Sequence, residues 1–238
     1  MKILFFSDAH GNQYTIRKLI QQIGKINIDL IVFGGDLFGY YYGQKEIISM
    51  LKNMNCICLM GNHDRYFLDL YDGKINLCEL ERKYGCSYRD SLDILDDHDI
   101  DFIRNNFKYF YETDIDSLHL LFVHGSLDDN LEGRIYPDTE VLNCEKYIGF
   151  DYVFYGHTHH KTIKKIKNGT ILVNPGSIGQ QRDGKGCTYV VFDSKTKKIT
   201  FYNVDYNIPS LVADIKEHQE DTSLEKKLIE VLYRNNKI

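Results

Sequence analysis

Asn62, His63 and Asp64 follow directly on the apolar run 56 to 60 and place an amide oxygen, an imidazole and a carboxylate on consecutive residues. An amide side chain ligates a metal ion only through its carbonyl oxygen, while a neighbouring histidine left unligated is free to move a proton. Alone, the triplet is more often an ordinary polar turn. It gains meaning from company: Asp8 with His10, Asp36, His124, and His157 with His159 each stand at or just past the end of another apolar run. Each again has a plainer role, Asp8 or Asp36 as a helix cap, His124 as a loop histidine, His157 and His159 as residues alternating off a strand. Together they form a set of oxygen and nitrogen donors without a thiolate, which points to a two-metal site and metal-assisted hydrolysis.

Such donors need elements to carry them. Apolar runs at residues 2 to 6, 28 to 33, 56 to 60, 118 to 123, 152 to 155 and 170 to 173 predict strands, the first buried on both faces. Between them Ile16, Leu19, Ile20 and Ile23, and then Ile47, Ile48, Leu51 and Met54, recur at helical spacing. Residues 187 to 192 and 198 to 204 flank Asp193-Ser194-Lys195-Thr196-Lys197, a hairpin signal, and Leu224, Leu228, Val231 and Leu232 mark a last amphipathic helix. Residues 65 to 116 are rich in Tyr, Asp and Leu, with helical spacing at Leu77, Leu80 and Tyr84 and again at Leu92, Leu95, Ile100 and Ile103. A helical insertion bordering the site is expected there. Strands alternating with helices make an open α/β sheet, and the donors all fall at its carboxyl edge, where such sheets gather ligands.

A chain of 238 residues, 43% hydrophobic and 26% charged, is long enough to bury a full core and fits one domain, residues 1 to 238, carrying that insertion. With 29 basic and 34 acidic side chains the formal charge is −5, so neither nucleic acid nor an anionic membrane is the expected partner. No apolar run approaches the roughly 20 residues of a membrane span, and the opening residues do not read as a signal peptide. A cytoplasmic location is expected. The six cysteines lack the close pairing of a zinc site or a disulfide scaffold and read as reduced residues.

The blocks Asp8-x-His10, Gly35-Asp36, Gly61-Asn62-His63-Asp64, His124 and Gly156-His157-x-His159 resemble, in order and interval, those of the calcineurin-like metallophosphoesterase superfamily. Residues 174 to 184, beginning Asn174-Pro175-Gly176-Ser177, are similar to the loop of its small bacterial and archaeal phosphodiesterase-like group, as is the tail from 205 to 232. The resemblance implies a four-layer α/β sandwich of two mixed sheets flanked by helices. It implies one ion on Asp8, His10, Asp36 and His159 and a second on Asp36, Asn62, His124 and His157, with Asp36 bridging. A hydroxide shared by the ions would attack phosphorus in line, and His63 would stabilise or protonate the leaving oxygen. Asp64 is either an orienting partner for an imidazole or a turn residue. Mn²⁺ is the first expectation for the metal, although such ligands also accept Fe, Ni, Co or Zn.

The departures narrow the activity. Protein phosphatases of the superfamily carry a further Asp, which orients the catalytic histidine, and an Arg shortly after the bridging Asp; here the stretch reads Asp36-Leu37-Phe38-Gly39-Tyr40-Tyr41-Tyr42. A phosphodiesterase acting on a small phosphoester is therefore favoured over a phosphomonoesterase or protein phosphatase. A retromer-like scaffold would lack the histidine that His63 supplies, and a DNA nuclease would want a more basic face. The three tyrosines either line a cleft or bury as core aromatics. Arg65, Arg134 and Arg182 are the candidates for a phosphate clamp, each with a surface charge as the alternative. Lys161, Lys164, Lys165 and Lys167 form a charged hairpin or a guide for anionic substrate.

Overall fold

The computed structural model describes residues 1–140 and 143–235. In chain order the elements are β1 (Lys2–Phe6), α1 (Gln13–Ile23), β2 (Leu30–Phe33), α2 (Gln44–Asn53) and β3 (Ile57–Leu59). The helices α3 (Asn62–Tyr71), α4 (Leu77–Tyr84), α5 (Ser87–Ile94) and α6 (Asp97–Asn106) follow. Next come β4 (Phe107–Lys108), β5 (Phe110–Ile115), β6 (Leu118–Val123), β7 (Tyr152–Phe154), β8 (Lys161–Lys165) and β9 (Ile171–Pro175). The chain then runs through β10 (Thr188–Asp193), β11 (Lys198–Asn203), α7 (Ile208–His218) and α8 (Thr222–Asn235).

Period-two alternation in β1 divides the core. Leu4 and Phe6 pack toward the helices with Ile16, Leu19, Ile47 and Phe67, while Ile3 and Phe5 face the other way into a cluster with Leu120, Phe122, Phe154 and Val173. That second cluster joins two mixed sheets face to face, ordered β11-β10-β1-β2-β3-β4 and β5-β6-β7-β9-β8. Phe5 sits 5.7 Å from both Phe122 and Phe154, which stack on one another at 4.7 Å, so aromatic contacts weld the sheets. In each sheet the middle strands run parallel: β1-β2-β3-β4 in one, β6-β7-β9 in the other. The carboxyl ends of both sets supply the residues described below.

Two mixed sheets flanked, among the described residues, by eight helices match the expected architecture, with one asymmetry. The helical cover lies on the first sheet. Over the second, Leu121, Val153 and Leu172 pack against Ile135, Tyr147 and Phe150, which belong to a long connection whose only helical element among the described residues is a 3₁₀ turn at Cys144–Tyr147. The helical stretch expected over 65 to 116 ends at Asn106, and residues 107–108 and 110–115 are strand. Phe-Tyr-Glu-Thr-Asp-Ile in β5 has no apolar run because it is an edge strand with only Ile115 fully buried. Helix α7 also escaped the periodicity reading; Asn207 caps it and Pro209 opens it.

Lys161, Lys164 and Lys165 lie in β8, which pairs antiparallel with β9, as a charged hairpin should. Of the three consecutive tyrosines, Tyr41 and Tyr42 are buried among Leu211, Ile215, Leu228 and Leu232 of α7 and α8, while Tyr40 is only half-buried. All six cysteines are free. Among the described residues no helix is long and apolar enough to cross a membrane.

Candidate active site

Past the ends of β1 and β2 the loops remain bonded: the Asp8 N–H donates to Gly35 O and the His10 N–H to Asp36 O, both at 2.9 Å. Past β6 and β7 the Gly156 N–H donates to His124 O at 2.8 Å. The two loop sets are then stitched across the sheets. The His157 N–H donates to the Asp8 carboxylate at 3.1 Å, and the His124 Nδ1–H to Gly34 O at 2.7 Å. Asp8, His10, Asp36, His157 and His159 all have positive φ, between 48° and 65°. Asp and His tolerate this left-handed region better than most residues, yet it costs of order 1–2 kcal/mol at each position. The loops thus hold a strained conformation at the residues that carry the donors.

Two clusters result. Ligand atoms of Asp8, His10, Asp36 and His159 lie within 4.8 Å of one another, as do those of Asp36, His124 and His157, and each group is of a kind that could hold a metal ion. Asp36 belongs to both. Asn62 joins the second, its Oδ1 3.2 Å from His124 Nε2. Asn62 is the first residue of α3, and the next N–H of that helix, His63 N, donates to Asp36 Oδ1 at 2.9 Å, fixing the shared carboxylate at a helix N-terminus. Gly61 is required beside it, because a Cβ there would lie 2.2 Å from Asp36 Oδ1.

Backbone carbonyls orient three of the donor imidazoles. His10, His124 and His159 place Nδ1 at 2.7, 2.7 and 2.6 Å from the carbonyls of Phe38, Gly34 and Gln180, so each spends its Nδ1–H there and turns Nε2 inward. His10 Nε2 and His159 Nε2 face each other at 3.0 Å with no proton left for that contact when both rings are neutral. His157 Nε2 is buried without any hydrogen-bond partner. Facing lone pairs and an orphaned buried nitrogen fit a cation in their midst.

The charges agree. Burial holds His10 and His159 well below the ordinary histidine range and His157 down to about 4. Burial also opposes ionisation of Asp36, but His124, His63 and His10 around it hold its carboxyl well below the usual range. His124 is the exception: burial would lower it, yet the Asp36 and Asp8 carboxylates lift it to about 10. In the metal-free chain a proton on His124 neutralises part of the charge that a cation would neutralise.

Not every residue singled out from the sequence joins the cluster. Asp64 does not orient an imidazole. Its carboxylate accepts the backbone N–H groups of Asp36, Leu37 and Gly61 at 2.7 to 2.9 Å, and that of Phe38 at 3.4 Å, so it braces the loop carrying Asp36 from beneath. Arg65 turns away, paired with Asp69 four residues on and with Tyr109. Arg182 and Arg134 stay at the rim: the charge of Arg182 is felt at His159 and His63, and that of Arg134 at His157.

The residue the sequence reading missed is Tyr88, fully buried in α5, whose hydroxyl lies 2.8 Å from His63 Nδ1. Tyr40, Tyr66 and Tyr84 complete a ring of aromatics about His63, the nearest at 4.6 Å between centroids. Burial holds His63 below the ordinary histidine pKa, and Tyr88, itself pushed well up by burial, brings no charge to offset this. A tyrosine in a helical stretch carries no spacing signal that separates a histidine's partner from a core aromatic.

A family model described as the calcineurin-like phosphoesterase superfamily domain matches residues 1–197. Protein MJ0912 of Methanocaldococcus jannaschii is 26% identical over 225 residues, which cover 87% of this chain and 88% of that one. Phosphodiesterase MJ0936 of the same organism is 26% identical over 176 residues, 74% of this chain and 83% of the other. A metallophosphoesterase from Sphaerobacter thermophilus has the same fold, with a TM-score of 0.77 at 23% identity, covering 97% of this chain and all of that one. With that match over most of its length, and the two donor clusters at the strand ends, the chain belongs to the calcineurin-like phosphoesterase superfamily.

Proposed function

We propose that the chain hydrolyses small phosphodiesters at a dinuclear metal centre, with Asp8, His10, Asp36 and His159 holding one ion and Asp36, Asn62, His124 and His157 the other. The observation that carries this reading is the single carboxylate of Asp36, common to two buried donor groups. Divalent ions bound there supply Lewis acidity for the phosphoryl oxygens and lower the pKa of water towards neutrality. The oxygen and nitrogen donor set, free of thiolate, suits Mn²⁺.

His63 stands beside the donors without being one of them. With the Tyr88 hydroxyl donating to Nδ1, the neutral ring keeps its proton on Nε2, from which it can hydrogen-bond to and stabilise the charge that develops on a leaving oxygen. Tyr88 is thus a positioning residue for that tautomer. Tyr88→Phe should lower kcat roughly 10- to 100-fold, leave metal content unchanged and alter the pH–rate profile. An unchanged profile at full activity would remove Tyr88 from the mechanism.

Diester over monoester is supported by the name of the Methanocaldococcus jannaschii phosphodiesterase and by the want of the aspartate and arginine that mark protein phosphatases. The six free thiols fit the reducing cytoplasm. Metal-stripped protein should turn over neither bis(p-nitrophenyl) phosphate nor p-nitrophenyl phosphate. Adding Mn²⁺, Ni²⁺, Co²⁺ or Zn²⁺ singly should restore turnover, with the diester preferred and Mn²⁺ most effective. Preference for the monoester would move the assignment to a phosphomonoesterase, and no turnover by folded, metal-loaded protein would sink it.

A further inference from the structure

Beside the donor clusters, between Tyr40, the end of α4 and α8, lies a cavity of about 240 Å³. Tyr40 belongs to both places: its ring is 4.8 Å from that of His10 and 5.4 Å from that of His63, and it also lines the cavity. Arg182 is shared in the same way, donating to the Tyr40 hydroxyl at 3.0 Å while its charge is felt at His159 and His63. The cavity therefore borders the site, and the two share these side chains.

Its lining is chemically selective. Tyr84 meets Tyr40 edge to face at 5.6 Å, and Leu224 and Leu228 of α8 add an apolar wall. Lys83, Arg182, Lys227 and Arg234 also line it, and no carboxylate does. In a chain of net charge −5 this is a local reversal. Elsewhere Arg17, Arg89 and Arg104 each face a carboxylate, whereas among the described residues these four cations have no ion-pair partner. Four unpaired cations about one concavity repel one another and favour an anion. Aromatic and alkyl surface beside them favours a planar apolar ring. The volume falls short of the ~300–1,000 Å³ of a complete small-molecule site, so it suits part of a ligand whose remainder lies elsewhere.

We propose that this cavity is a substrate subsite for a nucleoside phosphate arm, the base against Tyr40, Tyr84 and the α8 wall, the phosphates on the four cations, and the scissile phosphate at the donor clusters. This rests on the phosphodiesterase reading and names the substrate class it acts on. Helix α8 lies beyond residue 197, where the family model's match ends, so the wall is supplied by a part of the chain outside that match.

The test is binding of ADP labelled on the ribose with N-methylanthraniloyl, followed by fluorescence anisotropy on the whole, metal-stripped protein. Saturable binding should appear below millimolar concentration. Unlabelled ADP should compete, and inorganic phosphate or adenosine should each compete at least roughly tenfold less well. The Lys227→Glu/Arg234→Glu variant should weaken binding at least roughly tenfold; Lys227→Gln/Arg234→Gln serves if charge reversal unfolds α8. No saturable binding, unchanged binding in a folded variant, or phosphate competing as well as ADP would overturn the subsite. Turnover of bis(p-nitrophenyl) phosphate with Mn²⁺ on the same preparation separates the two ideas. Turnover without ADP binding removes the subsite and leaves the phosphodiesterase reading, whereas ADP binding without turnover removes the substrate role.

Discussion

Asp36→Asn is expected to abolish metal binding and turnover together. The substitution keeps the side-chain volume but removes the one charge common to both donor groups. Metal ions contribute several kcal/mol of transition-state stabilisation, so kcat/KM should fall roughly 10³-fold or more, with metal content by elemental analysis falling in step. A second readout needs no metal. In the stripped wild type His124 is lifted to about 10, and with the Asp36 charge gone burial dominates and its pKa should drop steeply, which imidazole NMR would follow. The sign for stability follows. A folded pKa above the ordinary 6.5 gives a contribution fully present below 6.5 and lost as pH rises through about 10. Stripped wild-type protein should therefore lose stability across that window, and the variant should lose that dependence. Retained metal and normal turnover in Asp36→Asn would refute the shared-carboxylate assignment.

His63→Ala should leave metal content unchanged and lower kcat by roughly 10²- to 10⁴-fold, the usual worth of a positioned catalytic side chain. The backbone explains why the two effects separate: the N–H that fixes Asp36 belongs to residue 63 and survives the substitution. The imidazole, in contrast, sits among Tyr40, Tyr66, Tyr84 and Tyr88 and holds no place in either donor group. Added imidazole should restore part of the rate by entering the space left behind. Loss of metal would instead make His63 a ligand, and near-wild-type turnover would end its role as hydrogen-bond donor to the leaving oxygen.

The donors were legible because each stands at the end of a buried strand, and buried strands announce themselves as short apolar runs. Asp8 after β1 and His124 after β6 are instances. What stayed hidden depends on distance in three dimensions. Asp64 reads as a neighbour for a histidine, yet α3 turns its carboxylate onto the backbone of the Asp36 loop. Tyr88 is separated from His63 by the whole of α4 and reads as core. Arg65 is adjacent to the key turn in sequence, but helical geometry aims it at Asp69 one turn on. Strand β5 escaped because Glu112, Thr113 and Asp114 separate Phe110 and Tyr111 from Ile115, leaving no apolar run on an edge strand with one exposed face.

The clusters draw Asp8, His10, Asp36 and Asn62 from the first sheet and its helix, and His124, His157 and His159 from the ends of the second. During synthesis the chain emerges from its N-terminus, so the first half leaves the ribosome with only half a cation trap. His159 is last to appear, and the carbonyl that orients it belongs to Gln180, later still. A nascent or truncated chain ending before that point cannot complete the centre. Completion of both donor groups therefore requires that synthesis has passed that point and that both sheets have docked.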